Sequence, residues 1–164
     1  MNTKGGRVPF KSAQQRRMAR FSAVQALYQI DMSGCSAEEV ISEYEIYRFG
    51  EGIDRNIDLK VDLKWFSTLV QGVVEHQKLI DSLISSCLQE KWVLSRLDLI
   101  VCAILRAGSF EIIGCSSVPV GVLISEYVEV AHTFFAQDEP KFINAVLSSL
   151  SQKPEVKRED FSSL

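Results

Sequence analysis

Apolar residues three and four positions apart recur along most of this chain, and that spacing limits its fold more than any other feature. One such run is Phe66, Leu69, Val70 and Val73. No segment alternates apolar and polar residues over a useful length, as a half-buried strand would. The pattern therefore predicts an all-α fold of six or seven helices.

Helix-start and helix-stop residues divide the first half of this pattern. The first helix is expected to begin near Ser12 and to end before Gly34, a residue suited to a helix C-terminus. A capping-box sequence beginning at Ser36 opens a second helix. Asp62 can cap a long third helix, in which a break near Gln77 is left open.

The second half of the chain carries similar signals. Residues 95–98 resemble a capping box and predict the start of a helix that runs towards Gly114 at the centre of the core. Proline is well tolerated at helix starts, so residues 118–119 and residues 138–140 mark the starts of the last two helices. Residues 136–137 are expected to close the helix between them.

The 164 residues fit one compact domain. Residues 1–11 contain glycine and proline and predict a flexible basic arm, and residues 12–151 form the helical domain. The polar residues 152–164 predict a flexible tail. Neither end is expected to join the core.

The longest apolar run, residues 100–105, is far shorter than a membrane span, and no stretch resembles a secretory signal. The four cysteines form no C-x-x-C pair, and reduced thiols in a cytosolic protein explain them best. The sequence therefore predicts a soluble cytoplasmic protein. The cysteines are Cys35, Cys87, Cys102 and Cys115.

Charge is distributed unevenly along the chain, although the net charge is only −3. The first twenty residues hold six basic and no acidic side chains, which leaves 12 basic against 21 acidic residues in the remainder. A basic segment on an acidic body suits a polyanion at one place and a basic partner elsewhere.

Two clusters are candidates for binding a nucleic acid. Arg16, Arg17 and Arg20 are three and four residues apart and share one side of a helix turn, where guanidinium groups can bind phosphates. A solvated basic face is the alternative reading. A second patch combines aromatic and charged residues around a helix junction, and bases could stack on it: Phe134, Phe135, Asp138, Lys141 and Phe142.

Catalytic signals are missing from the sequence. His76 and His132 have no partners at metal-ligand spacing, and no glycine-rich phosphate loop or nucleophile motif occurs. The sequence predicts a protein that is not an enzyme and that needs no cofactor or metal.

Three segments resemble the NusB family of bacterial transcription antitermination factors. Residues 16–29 (RRMARFSAVQALYQ) resemble the opening helix of the family, residues 104–111 (ILRAGSFE) its central helix and residues 141–147 (KFINAVL) its last helix. The resemblance covers about residues 12–150. Among the departures, Phe21 stands where the family commonly has a polar residue.

The resemblance implies two packed helical bundles and a protein without catalytic residues. It implies binding to the boxA element of ribosomal RNA leader transcripts, together with the small-subunit ribosomal protein NusE. It further implies a complex with RNA polymerase, NusA and NusG that lets transcription pass terminators. Whether the free protein forms a homodimer is left open.

Site residues can be carried over by position. The RNA face would consist of Arg16, Arg17 and Arg20 with Phe135, Asp138, Lys141 and Phe142, and Asp138 would restrain RNA affinity by repulsion. The NusE face would consist of Tyr28, Val101, Leu105 and Glu111.

Two other functions compete with this one. A similar module precedes the catalytic region of some ribosomal RNA cytosine methyltransferases, but no such region follows residue 150. A helical adaptor that binds only proteins is the other alternative. RNA affinity that falls steeply with salt would distinguish an RNA-binding protein from the adaptor.

Overall fold

The computed structural model describes residues 10–49 and 61–159. Its seven α-helices in this part of the chain span Phe10–Ser33 (α1), Ala37–Glu43 (α2), Leu63–Glu75 (α3), Gln77–Cys87 (α4), Leu99–Gly114 (α5), Val120–Phe134 (α6) and Asp138–Ser151 (α7). A π-helical turn, Tyr44–Arg48, continues α2, and a 3₁₀ turn, Leu94–Arg96, precedes α5. The described residues contain no strand, so the predicted all-α class is confirmed.

Local capping interactions explain several of the helix ends. The Ser36 hydroxyl accepts the Glu39 N–H, and the Glu39 carboxylate accepts the Ser36 N–H, which is the predicted capping box. Asp62 caps α3 by accepting the Trp65 N–H. Gly34 follows α1 with a φ of 71°, a conformation that glycine adopts without strain.

The predicted start of the central helix is wrong by several residues. Residues 94–96 form the separate 3₁₀ turn, and the N-cap of α5 is Asp98, whose carboxylate accepts the N–H groups of Ile100 and Val101. The boundary between α3 and α4 falls at His76, which confirms the break near Gln77. The helix predicted to close at residues 136–137 ends at Phe134.

Two bundles share α5 as a common member. Helices α1, α2 and α3 pack together on one side of it, and α4 and α6 pack with α7 on the other. Twelve of the sixteen α5 residues are buried, which confirms its predicted position at the centre of the core. The two-bundle architecture is therefore held together by a helix that both bundles bury.

The end of the chain departs from the prediction of a free tail. The Arg158 guanidinium donates hydrogen bonds to the carbonyl oxygens of Ile112, Cys115 and Val118, which follow or end α5. Val156 packs against the core. The prediction is wrong for residues 152–159, because Arg158 satisfies carbonyl groups that the end of α5 leaves unpaired. Residues 160–164, and residues 1–9 of the predicted arm, lie outside the described residues.

Close packing between α3 and α5 yields a stability prediction. A Cβ atom added at Gly72 would lie 2.2 Å from the Phe110 ring, whereas one added at Gly121 in α6 would meet open space. We expect Gly72→Ala to lower the free energy of unfolding by about 1–3 kcal/mol, because the ring must move. Gly121→Ala should leave it unchanged or raise it slightly. Urea unfolding of both variants measures this, and equal stabilities would contradict the packing.

Candidate nucleic-acid interface

Arg20 lies inside the protein, so the prediction that its guanidinium faces an RNA is wrong for this structure. Its side chain is 6% exposed and donates two hydrogen bonds to the Glu111 carboxylate of α5, at 2.8 and 3.0 Å. The Tyr127 hydroxyl of α6 donates to the same carboxylate. Arg20 therefore joins α1 to α5 and, through Glu111, to α6.

The electrostatics of this buried cluster favour a charged Arg20 and a neutral Tyr127. Burial acts to lower the pKa of Arg20, but the hydrogen bonds and negative charge of Glu111 outweigh it, so the pKa lies above its ordinary value. Burial, followed by the charge of Glu111, raises the pKa of Tyr127 well above its ordinary value. Arg20 stays cationic and Tyr127 stays a neutral donor across the physiological pH range.

Arg17 is the exposed member of the arginine cluster. Its side chain is 58% exposed, and it donates two hydrogen bonds of 3.0 Å to the carboxylate of Glu126 in α6. The hydrogen bonds and the charge of Glu126 raise the pKa of Arg17. This fork-to-carboxylate geometry is the one in which guanidinium also binds phosphate.

Arg16 is the third arginine, and its side chain is 41% exposed. Its guanidinium lies over the Trp65 ring, 4.4 Å from the ring centroid, and its Nε is 3.8 Å from the Asp62 carboxylate. A cation held flat on an aromatic ring keeps its outer face available to an anion. The nearest carboxylates of Arg16, Arg17 and Arg20 belong to Asp62, Glu126 and Glu111, and Arg20 also lies 3.8 Å from Glu126. Arg16 and Arg17 remain at the surface.

An aromatic contact brings the second predicted patch next to α1. Phe21 stacks on Phe134 at the end of α6, with ring centroids 5.3 Å apart and an interplanar angle of 10°. Phe135 follows Phe134 in sequence, and their rings are 6.5 Å apart. The corner between α6 and α7 thus lies against the helix that carries the arginines.

The other residues of this patch lie on the first turns of α7. Asp138 and Lys141 are exposed. Phe142 is half-buried, packs against the core and contacts Trp92 from the loop after α4. The Phe21–Phe134 stack therefore places the α6–α7 corner beside α1, whereas Arg20 lies beneath the surface.

The residues predicted to form a protein interface are mostly buried. Val101, Leu105 and Glu111 are 4%, 0% and 0% exposed, so the prediction that they contact a partner is wrong for this structure. Apolar residues are distributed around α5, and twelve of its sixteen residues are buried. Tyr28 does reach the surface, where it lines an open groove of about 450 Å³.

This groove runs between α1, α5 and the turn after α2. Its walls are mainly apolar, with a few polar groups at the rim. Ile100 from α5 lines it, in place of the neighbouring Val101. The complete lining is Val24, Gln25, Tyr28, Gln29, Met32, Ser33, Tyr44, Arg48, Ile100 and Phe134.

Sequence reasoning missed a second ion-pair cluster on α5. Arg106 donates two hydrogen bonds to Asp81 of α4 and one to Asp31 of α1, at distances between 2.8 and 3.1 Å. Its partners lie 25 and 75 residues away in sequence, so no local pattern could have identified them. The same holds for Glu126, which is 109 residues from Arg17.

The described residues contain neither a metal site nor a membrane-spanning helix. Among residues 10–49 and 61–159, no group of three or more His, Cys, Asp or Glu side chains is placed to hold a metal ion. No helix in that part of the chain combines the length and apolar content needed to cross a membrane. The main candidate site is the surface formed by the exposed arginines of α1 and by the aromatic corner, that is, Phe134 and Phe135 at the end of α6.

Known proteins match this chain over most of its length. The model of the NusB family matches residues 17–152. The transcription antitermination protein NusB of Rhizobium rhizogenes is 50% identical over 153 residues, which are 93% of this chain and 96% of that protein. The protein of the same name from Agrobacterium fabrum is 52% identical, over 87% of both chains.

Solved structures agree with this match. NusB of T. maritima superposes with a TM-score of 0.70 at 27% identity, covering 84% of this chain and 91% of that one. A chain from the crystal structure of the antitermination factors NusB and NusE in complex with dsRNA has a TM-score of 0.65 at 28% identity. That match covers 84% of this chain and 96% of the other.

The buried cluster yields a prediction about folding. Glu111→Gln removes the counter-charge that accepts both Arg20 hydrogen bonds, and we expect it to lower the free energy of unfolding by about 3–5 kcal/mol. Glu129→Gln, on the exposed side of α6, is the control and should change it by less than about 0.5 kcal/mol. Urea unfolding followed by circular dichroism compares them. Wild-type stability of Glu111→Gln would show that the pair does not hold the bundles together.

Proposed function

The chain belongs to the NusB family, and from that premise we propose that it is a transcription antitermination factor which binds RNA together with NusE. The RNA is the boxA element of ribosomal RNA leader transcripts, and the complex acts in the cytoplasm on RNA polymerase with NusA and NusG. The protein has no catalytic role. Two relatives named transcription antitermination protein NusB, which are 50% and 52% identical to this chain, support the proposal. The similar chain from the crystal structure with NusE and dsRNA also supports it.

One observation carries the RNA-binding part of the proposal. Arg16 and Arg17 are exposed on α1 beside an aromatic corner that the Phe21–Phe134 stack holds in place. Guanidinium groups supply phosphate contacts, and aromatic rings supply stacking surfaces for unpaired bases. The proposed contact residues are Arg16, Arg17, Phe135, Lys141 and Phe142, with Asp138 opposing binding by repulsion.

Arg20 takes a different part in this proposal. Because its guanidinium is committed to Glu111, it sets the position of α1 and does not contact phosphate. The proposed RNA face therefore needs Arg20 as a support for Arg16 and Arg17. Replacing it would weaken RNA binding through the fold.

The apolar groove is the proposed docking surface for NusE. Tyr28 and Met32 lie on its α1 wall and Ile100 on its α5 wall, so it presents the apolar area that a protein partner would bury. Val101 and Leu105 are buried in α5 and do not line this groove. Acidic residues elsewhere on the body would favour approach of a basic ribosomal protein.

The direct test is fluorescence anisotropy of a labelled boxA RNA titrated with this protein. We expect tighter binding to boxA than to a scrambled RNA, a further gain when NusE is added, and affinity that falls steeply as salt rises because phosphate contacts release counterions. Equal binding to both RNAs, with or without NusE, would contradict the antitermination proposal. A flat salt response would favour the protein-only adaptor.

Glu126 provides a sharper prediction, because it accepts the hydrogen bonds that an RNA phosphate would require from Arg17. We expect Glu126→Gln to raise boxA affinity by about fivefold, since a neutral amide competes less well for guanidinium. Glu129→Gln is the matched control, because Glu129 acts on Arg17 through charge alone. Anisotropy titrations at one salt concentration provide the comparison.

A double-variant test separates competition from general electrostatics. In an Arg17→Ala background, Glu126→Gln should no longer raise RNA affinity, because the guanidinium that it released is missing. An equal gain from Glu126→Gln and Glu129→Gln, or a gain that persists without Arg17, would show that only the overall negative charge matters.

A further inference from the structure

Two aromatic side chains from distant parts of the sequence meet at the protein surface where the loop after α4 passes α7. The centroids of the Trp92 and Phe142 rings are 5.7 Å apart, with an interplanar angle of 47°. Phe142 is half-buried and packs against the core, whereas Trp92 is 54% exposed. Phe142 thus supports the indole from one side and leaves much of it open to solvent.

The backbone that carries Trp92 is fixed on both sides. Leu88 and Leu94 pack against the core before and after it. The backbone N–H of Trp92 donates to the Gln89 carbonyl oxygen at 2.8 Å, and the Cys102 thiol donates to the Leu94 carbonyl oxygen at 3.5 Å. A loop held in this way loses little conformational freedom when a ligand stacks on the ring that it carries.

Basic residues accompany both rings. Lys91 directly precedes Trp92, Lys141 directly precedes Phe142, and both lysines are exposed. Glu90, Asp138 and Glu139 are the acidic residues nearest in sequence, so each ring has a cation directly beside it and carboxylates further along the chain. Exposed aromatic rings flanked by cations are the arrangement with which proteins bind single-stranded nucleic acid, by stacking on bases and attracting the backbone.

We propose that Trp92, supported by Phe142, is a stacking platform for an unpaired base of the bound RNA. The inference rests on the proposed function, because Phe142 also belongs to the proposed RNA face, and it extends that face from α1 and α7 onto the loop between α4 and α5. Stacking on such a ring tolerates any base, because every base has a π-face. It adds affinity for any unpaired base at that position of the strand.

The test compares Trp92→Ala and Trp92→Phe with the unaltered chain in titrations of labelled boxA RNA in the presence of NusE. Trp92→Ala should weaken binding by about tenfold, and Trp92→Phe should retain most of the affinity because it keeps a π-face. The slope of log affinity against log salt should stay the same in both, because stacking releases no counterions. Tyr47→Ala, which removes an aromatic residue that is 76% exposed, is the control and should bind like the unaltered chain.

An optical measurement adds a second readout. The chain has two tryptophans, so in Trp65→Phe all tryptophan emission comes from Trp92, and saturating RNA should quench it. Wild-type affinity of Trp92→Ala, a smaller salt slope in that variant, or unchanged emission would each overturn the platform while leaving RNA binding intact. If the unaltered chain binds no RNA, the proposed function fails and this proposal fails with it. Circular dichroism confirms that every variant is folded.

Discussion

The buried contact between Arg20 and Glu111 is the interaction on which the rest of the structure depends. A guanidinium and a carboxylate can both stay ionised inside a helical core only when each satisfies the other, and here Tyr127 completes the set. The cluster joins α1, α5 and α6, so it fixes the rotation of α1 about its own axis. That rotation places Arg16 and Arg17 at the surface.

Arginine spacing alone could not assign these roles. Arg16, Arg17 and Arg20 look equivalent in sequence, yet one lies on an indole ring, one is paired at the surface and one is buried. Like charges this close on a helix repel one another unless anions lie near them. Carboxylates from α5, α6 and the N-cap of α3 supply those anions here, and arginine spacing could not indicate them because they are far away in sequence.

Features that depend on neighbouring residues were predicted well. The capping box at Ser36, the cap at Asp62 and the end of α1 before Gly34 require only local geometry. The start of α5 was misplaced because Ser95 and Asp98 are both capping residue types, and only Asp98 caps α5 in the structure. The docking of Arg158 depends on carbonyl groups that lie 40 to 46 residues earlier in the sequence, so no local pattern could predict it. Phe21, the departure from the family pattern, forms the stack on Phe134.

Helix α1 carries both proposed faces, and it is clamped at two points. Glu111 holds Arg20 near the middle of α1, and Arg106 holds Asp31 near its end. A helix fixed to α5 in this way would shift little on the proposed binding of NusE along the groove. Cooperation between NusE and RNA would then arise because the two surfaces adjoin at Phe134, where the groove meets the aromatic corner. NusE bound there could add its own RNA contacts, which raises affinity without any change in the shape of the helical domain.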